Sequence, residues 1–328
     1  MTAQGTATTE PDGFTAVVAL GGGHGLANSL KALRRVTPSP TAVVTVADDG
    51  GSSGRLRREL GVLPPGDLRM ALAALCGDDE WGRTWSEVVQ HRFRSEGALH
   101  EHAVGNLLIV ALWELLDDSV TGLDWVARLL GVQGRVLPMS VVPLEIEALV
   151  EDDDGSLRPV RGQVAVATTS GRVRSVSLLP EAPPACPEAV SAVMSADWVV
   201  LGPGSWFTSV LPHLLVPDLA AAICATTARR LLVLNLDQQP GETEGFAPES
   251  YLEVLTDHAP DLALDVVLAD PTTVTNRAAL QDAADRLGAE VVLAPLARAD
   301  HPDQHDPDLL ATALDRLFVR DRQPSDRI

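Results

Sequence analysis

The chain has 328 residues, 45% of them hydrophobic, with a mean hydropathy of +0.10 and a formal net charge of −20 at pH 7. It can bury one large α/β core, and its field repels nucleic acid and anionic lipid, so any phosphate ligand has to be captured by local donors. No run of roughly 18 apolar residues marks a membrane span and the N-terminus lacks a leader pattern, so a cytoplasmic protein with no nucleic-acid or membrane partner is expected.

Residues 1–14 read as a disordered tail. The run TAVVAL (15–20) then reads as a buried strand, because its apolar residues are contiguous rather than alternating. It enters a turn containing Gly21, Gly22, Gly23, His24 and Gly25 and then a helix. Glycines between a first strand and its helix let backbone N–H groups converge on an anion at the positive helix end. Phosphate is the natural guest, although Leu26 occupies the third glycine position of the dinucleotide fingerprint and Lys31 follows Leu30 rather than a P-loop glycine. A bare tight turn is the alternative.

A second strand, TAVVTVA (41–47), ends on Asp48 and Asp49, followed by Ser52 and Ser53. Acids at that end of an α/β sheet hold a ribose, or hold Mg²⁺ together with phosphate oxygens, or simply form an Asx turn. Arg55, Arg57 and Arg58 supply local positive charge for an anion, or a solvated helix face. Asp67 reads as the N-cap of the next helix. His100, His102 and Asn106 sit at the start of another apolar helix, and the His-x-His pair lacks a third zinc ligand.

From about 136 to 180 the pattern changes. The runs VVPLEIEALVED, GQVAVATTSG and RVRSVSLLPE alternate apolar with polar, as antiparallel strands of a small β insertion do. Buried strands return at 197–202, 230–236, 264–269 and 289–295. After the first of these, Gly202 and Gly204 lead to Ser205, Thr208 and Ser209 at a helix start, a second anion cradle whose spacing does not fit the serine-hydrolase elbow. Asn235, Gln239, Glu242 and Thr243 follow the next strand and can line the same crevice. The three cysteines, Cys76, Cys186 and Cys224, form no CxxC pair and read as small buried residues. The fold class is α/β, a three-layer Rossmann-like sandwich with a mostly parallel central sheet and a small antiparallel β insertion. Residues 319–328 read as a C-terminal tail.

The blocks GGGHG, VTVADDGGSSGRLR, PPGDLRMAL, GNLL, GPGSWFTSVLPHLLVP and GETEGF, in this order, closely resemble the YvcK-type gluconeogenesis factor family, which is similar in fold to the CofD transferases. The resemblance makes residues 15–318 a single CofD-like domain. It implies a UDP-sugar ligand, notably UDP-N-acetylglucosamine, and a role in central carbon use, cell-wall synthesis and cell shape. It further implies a transferase alternative, in which phospholactate moves from a nucleotide-activated donor and Asp48 is catalytic. His24 and the segment HEHAVGN depart from the usual family pattern without removing a backbone N–H.

Two readings therefore stand. In the first, a non-catalytic regulator holds phosphates with Gly21 to Gly25 and Gly202 to Ser205, and holds ribose or Mg²⁺ with Asp48 and Asp49. In the second, the same acids hold Mg²⁺ for phosphoryl-group transfer. A nicotinamide-dependent oxidoreductase fits less well because of the failed third glycine. A homo-oligomer and a regulatory protein partner are expected.

Overall fold

The computed structural model describes residues 14–322. Seven short runs of β-branched and apolar residues form one parallel sheet: β1 (Val17–Gly21), β2 (Thr41–Val44), β3 (Arg135–Pro138), and, after an insertion, four more. The insertion holds β4 (Glu145–Glu151), β5 (Leu157–Arg161) and β6 (Arg172–Leu179), and the main sheet resumes with β7 (Trp198–Leu201), β8 (Arg229–Val233), β9 (Val266–Ala269) and β10 (Glu290–Leu293). Every residue of β1, β7 and β9 is buried, as contiguous apolar patterning requires of strands covered on both faces.

The order across the sheet is β10-β9-β8-β7-β1-β2-β3. The chain thus moves one way from β1 through β3 and the other way from β7 to β10. Right-handed crossovers then place the two sets of connecting helices on opposite faces. The first set is α1 (Gly23–Leu33), α2 (Gly51–Leu60), α3 (Gly66–Ala74), α4 (Glu80–Gln90), α5 (Val104–Leu116) and α6 (Ser119–Leu130). After the short α7 (Gln163–Ala167) of the insertion comes the second set, α8 (Pro187–Met194), α9 (Pro217–Ala225), α10 (Pro248–His258) and α11 (Arg277–Asp285), and then the terminal α12 (Pro307–Arg322), which returns to the face of α1. Helix α1 packs on α3 and α12, whereas α8 packs on α9 and α10 on α11.

The order reverses between β1 and β7, which pair directly. At such a switch point the loops leaving the two strands diverge to opposite faces and open a crevice.

Two details of the insertion differ from the sequence reading. The run at 136–138 is β3 of the main sheet, in parallel register with β2. The segment GQVAVATTSG is not a strand: Gly162 (φ 93°) turns the chain into α7, and the second antiparallel strand is β5 instead. Its backbone is claimed elsewhere, since the Val164 N–H donates to Asp49 Oδ1 at 3.0 Å. No single helix among the described residues is long and apolar enough to cross a membrane. Helix α12 runs on to Arg322, and the remainder of the expected tails, residues 1–13 and 323–328, lies outside the described residues.

Candidate functional site

A cavity of about 660 Å³ opens where β1, β7 and β8 end. Its floor is the junction of the two glycine loops. Gly22 caps α1 in extended conformation and brings no side chain to the cap; the Asp67 carboxyl lies against the Gly23 N–H, and the rest of the first turn fronts the cavity at the positive end of the helix dipole. Gly23 (φ +55°) has open space where a side chain would project. Gly25 is pressed on the other loop, because a Cβ there would lie 2.2 Å from the Pro203 carbonyl oxygen. Ser29 Oγ ties the same helix to the Gly202 carbonyl at 3.2 Å. Gly21 stays behind, as the last residue of β1 in register with Val44. His24 is exposed at the rim.

The second loop is held from beneath. Asn235 pins Gly204 twice: its Nδ2 donates to the Gly204 carbonyl at 2.8 Å and its Oδ1 accepts the Gly204 N–H at 2.9 Å. Ser205 then starts a single π turn, Trp206–Val210, in which the Ser209 and Val210 N–H groups both donate to the Ser205 carbonyl. Such turns are uncommon and concentrate at functional sites. Buried Glu242 accepts from the Ser205 hydroxyl (2.5 and 2.6 Å), from Thr208 Oγ1 (3.0 Å) and from the Phe207 N–H (3.3 Å). Burial raises its proton affinity, and those same bonds oppose the rise.

Asp67 does not cap α3; Pro65 occupies that position, and Asp67 lies in the first turn. Its carboxylate reaches the cavity instead, with Oδ2 enclosed and unpartnered beside Gly22. Burial and the neighbouring Asp48 charge push it up to about 7, against the Gly23 N–H and the buried Arg69 guanidinium.

The acid pair after β2 splits. Asp48 Oδ1 accepts the Gly50 N–H at 2.9 Å, an Asx turn, and its Oδ2 lies beside Gly66. Asp49 turns the other way, onto Val164 and Gly162. Neither residue lines the cavity. Each carboxylate thus has a backbone partner of its own, Asp48 on Gly50 and Asp49 on Val164. Among the described residues no group of three His, Cys, Asp or Glu is placed to hold a metal ion.

Ser52, Ser53 and Asn106 form a buried joint between α2 and α5. Asn106 Nδ2 donates to Ser52 Oγ at 3.0 Å and to Ser53 Oγ at 3.5 Å, and His102 Nδ1 meets Ser52 Oγ at 3.0 Å. His100 is exposed and turned toward the Ser95 N–H. The arginines are engaged in structure: Arg55 donates to the Ala98 and His100 carbonyls, Arg57 to Leu144, and Arg58 to Asp49. Their guanidinium groups serve the loops around the site and not the cavity.

Several cavity residues escape sequence reasoning. Gln163, Val164 and Ala167 arrive from α7, and Asp303 and His305 from the loop before α12. Asp237 lies four residues past the end of β8, and its place after a strand end was the available signal. An adjoining cavity of about 410 Å³ shares Asn235, Asp237 and Asp303 and extends over β9 to Thr272.

Residues 17–302 match the model of the family described as "2-phospho-L-lactate transferase CofD". The chain belongs to the CofD family. Within that family it is similar to a Mycobacterium tuberculosis (strain CDC 1551 / Oshkosh) protein named "Putative gluconeogenesis factor", 57% identical over 311 residues, covering 93% of this chain and 91% of that one. It is also similar to the "Gluconeogenesis factor" of Listeria innocua serovar 6a, 39% identical over 258 residues, covering 79% and 78%. A crystal structure of a UPF0052 family member from Bacillus halodurans superposes with TM-score 0.83 at 31% identity, covering 93% of this chain and 99% of that one. Both glycine loops lie inside the matched residues 17–302, whereas the cavity residues Asp303 and His305 lie just beyond them.

Proposed function

We propose that this CofD-family protein is a cytoplasmic nucleotide-sugar-binding regulator of the gluconeogenesis-factor type, with UDP-N-acetylglucosamine as its ligand class and a role in carbon use, cell-wall synthesis and cell shape. One observation carries the reading. The N-terminus of α1 and the Gly204–Ser209 segment meet across a single cavity at the sheet's switch point, and both present small residues and backbone to it. That is the geometry for a diphosphate. In a chain of charge −20 such a local cradle is the means of capturing an anion. The elongated double cavity suits a ligand with a group on each side of its phosphates. A protein partner and self-association belong to the same regulatory reading.

The experiment is a thermal-shift and calorimetric comparison of UDP-N-acetylglucosamine, UDP and free N-acetylglucosamine. The diphosphate compounds raise Tm and the free sugar does not; equal shifts for all three overturn the reading.

The second reading is a transferase acting on a nucleotide-activated donor, favoured by the family description of the match over residues 17–302. Mass spectrometry of long incubations with UDP- and GDP-activated donors separates the two, since a regulator returns its ligand unchanged.

A further inference from the structure

The only lysine of the chain, Lys31, takes no part in the glycine cradle. It lies in the last turn of α1, exposed, on the helix face it shares with His24, Ala27 and Asn28, as spacings of three, four and seven residues require. That face is one wall of a separate cavity of about 380 Å³, closed on its other sides by α3, α4 and the segment just after α4. Arg69 on α3 and Arg92 beyond α4 open onto the same space, so three cations share it. No Asp or Glu among the described residues lines it, in a chain with 45 acidic against 25 basic residues.

These charges are held in place without being neutralised. Arg69 is 4% exposed. A Cβ on Gly105 of α5 would lie 2.9 Å from its Cγ, so α5 confines the stem, and its Nη1 donates to Gln90 Oε1 at 2.7 Å. That partner is an uncharged amide. Arg92 is exposed and donates from Nη1 to the Glu101 backbone carbonyl at 2.8 Å, again an uncharged acceptor. Among the described residues none of the three cations forms an ion pair. Burial, and after it the Arg92 charge, lower Arg69 to about 10 against the pull of Asp67 and Asp48, neither of which lines this cavity; the group stays charged at neutral pH.

A buried charge without a counter-ion is unfavourable, and a cleft lined by one sign of charge concentrates the other. From His24 to Lys31 the cavity follows α1 for about 10 Å, away from the cradle at the N-terminal end of that helix. Its volume suits a small molecule. We propose that the cavity between α1, α3 and α4 is a second anion site, which takes a compact metabolite bearing two or three carboxylate or phosphate charges on Lys31 and Arg92, with Arg69 as the buried charge behind them. The proposal does not rest on the nucleotide-sugar reading: the two cavities share only His24 and Asn28, and either can fail alone.

The test titrates citrate and inorganic phosphate, with acetate as a singly charged control, into wild type, Lys31→Gln, Arg92→Gln and Gly23→Ala by calorimetry. Lys31 Nζ has no partner to lose among the described residues, so Lys31→Gln keeps the fold. Citrate is expected to bind wild type more tightly than acetate, to lose tenfold or more in affinity in Lys31→Gln and in Arg92→Gln, and to stay within twofold in Gly23→Ala. Added salt weakens it, as it does any exposed charge contact. Loss in Gly23→Ala with full affinity in Lys31→Gln puts the anion in the cradle and overturns the proposal. So does an equal response to citrate and acetate, or no binding of either citrate or phosphate to wild type. Displacement of citrate by saturating UDP shows one site where two are claimed, and overturns it as well. Citrate binding that survives while no UDP compound binds strikes the nucleotide reading alone and supports the second site.

Discussion

Gly25 and Pro203 touch so closely that a methyl group on the glycine would stand 2.2 Å from the proline carbonyl oxygen. The first turn of α1 and the loop after β7 are thereby locked into one surface, and the cradle exists only while this contact holds. Gly25→Ala is expected to cost about 1–3 kcal/mol or more, because backbone cannot yield as a side chain does. Gly23→Ala meets no atom, so it costs about 1 kcal/mol for its left-handed φ while placing a methyl where phosphate would lie. Urea melts with and without UDP-sugar check this: the first variant loses stability, the second loses the ligand response.

Asp67 supplies a pH signature. Its carboxyl holds a proton up to about 7 in the folded protein, against 3.8 as the ordinary value. Between those values the folded state carries a proton that the unfolded state has lost, so this group lowers stability as pH rises from about 4 to about 7. Above that the loss is complete. Burial sets it first, then the Asp48 charge, with the Gly23 N–H and Arg69 opposing. Wild type should lose more Tm than Asp67→Asn between pH 5 and 8. Anion affinity should likewise be stronger at pH 6 than at pH 8 in wild type and flat in the variant. Parallel curves would contradict the placement.

Glu242 is the support of the second loop. Replacing it with Ala leaves Ser205, Thr208 and the Phe207 N–H without their common acceptor, at about 1–3 kcal/mol for the buried donors. Denaturant unfolding should show that loss, and Glu242→Gln, which keeps one oxygen, should recover part of it. Full stability in the Ala variant would show that the π turn holds itself.

Arg55 tests the opposite expectation. Its guanidinium is committed to the Ala98 and His100 carbonyls, so Arg55→Ala should leave UDP-sugar affinity within about twofold while speeding proteolysis at residues 94–101, as loosened loops do. A tenfold affinity loss with an unchanged cleavage rate would return the arginine to the anion.

The sheet was legible because fully buried strands have to be contiguous in apolar residues, as β1, β7 and β9 are. Strand β3 hid because its four residues, RVLP, abut the insertion. The segment GQVAVATTSG carries apolar alternation yet folds as α7, since Gly162 at φ 93° and the bond to Asp49 decide its backbone first. At the site, glycines announced both loops, because close approach leaves a composition mark. Asp48, Asp49, Ser52, Ser53 and Asn106 were legible as polar residues at strand and helix ends, but not for what they face. Their partners, Val164 and His102, lie far off in sequence. His305 left no signal at all: it lies a dozen residues past β10 and reaches the cavity only because its loop doubles back.

Helix α7 hangs from the three-stranded insertion and not from the parallel sheet, yet it forms one wall of the cavity. Its strands do not pair with β1 or β7, so changes in residues 145–179 can alter what the cavity admits while the β1–β7 register stays as it is. Diversification of ligand preference among descendants of this fold thus has a physical address. Grafting the insertion between relatives is a more direct route to new selectivity than altering the two glycine loops.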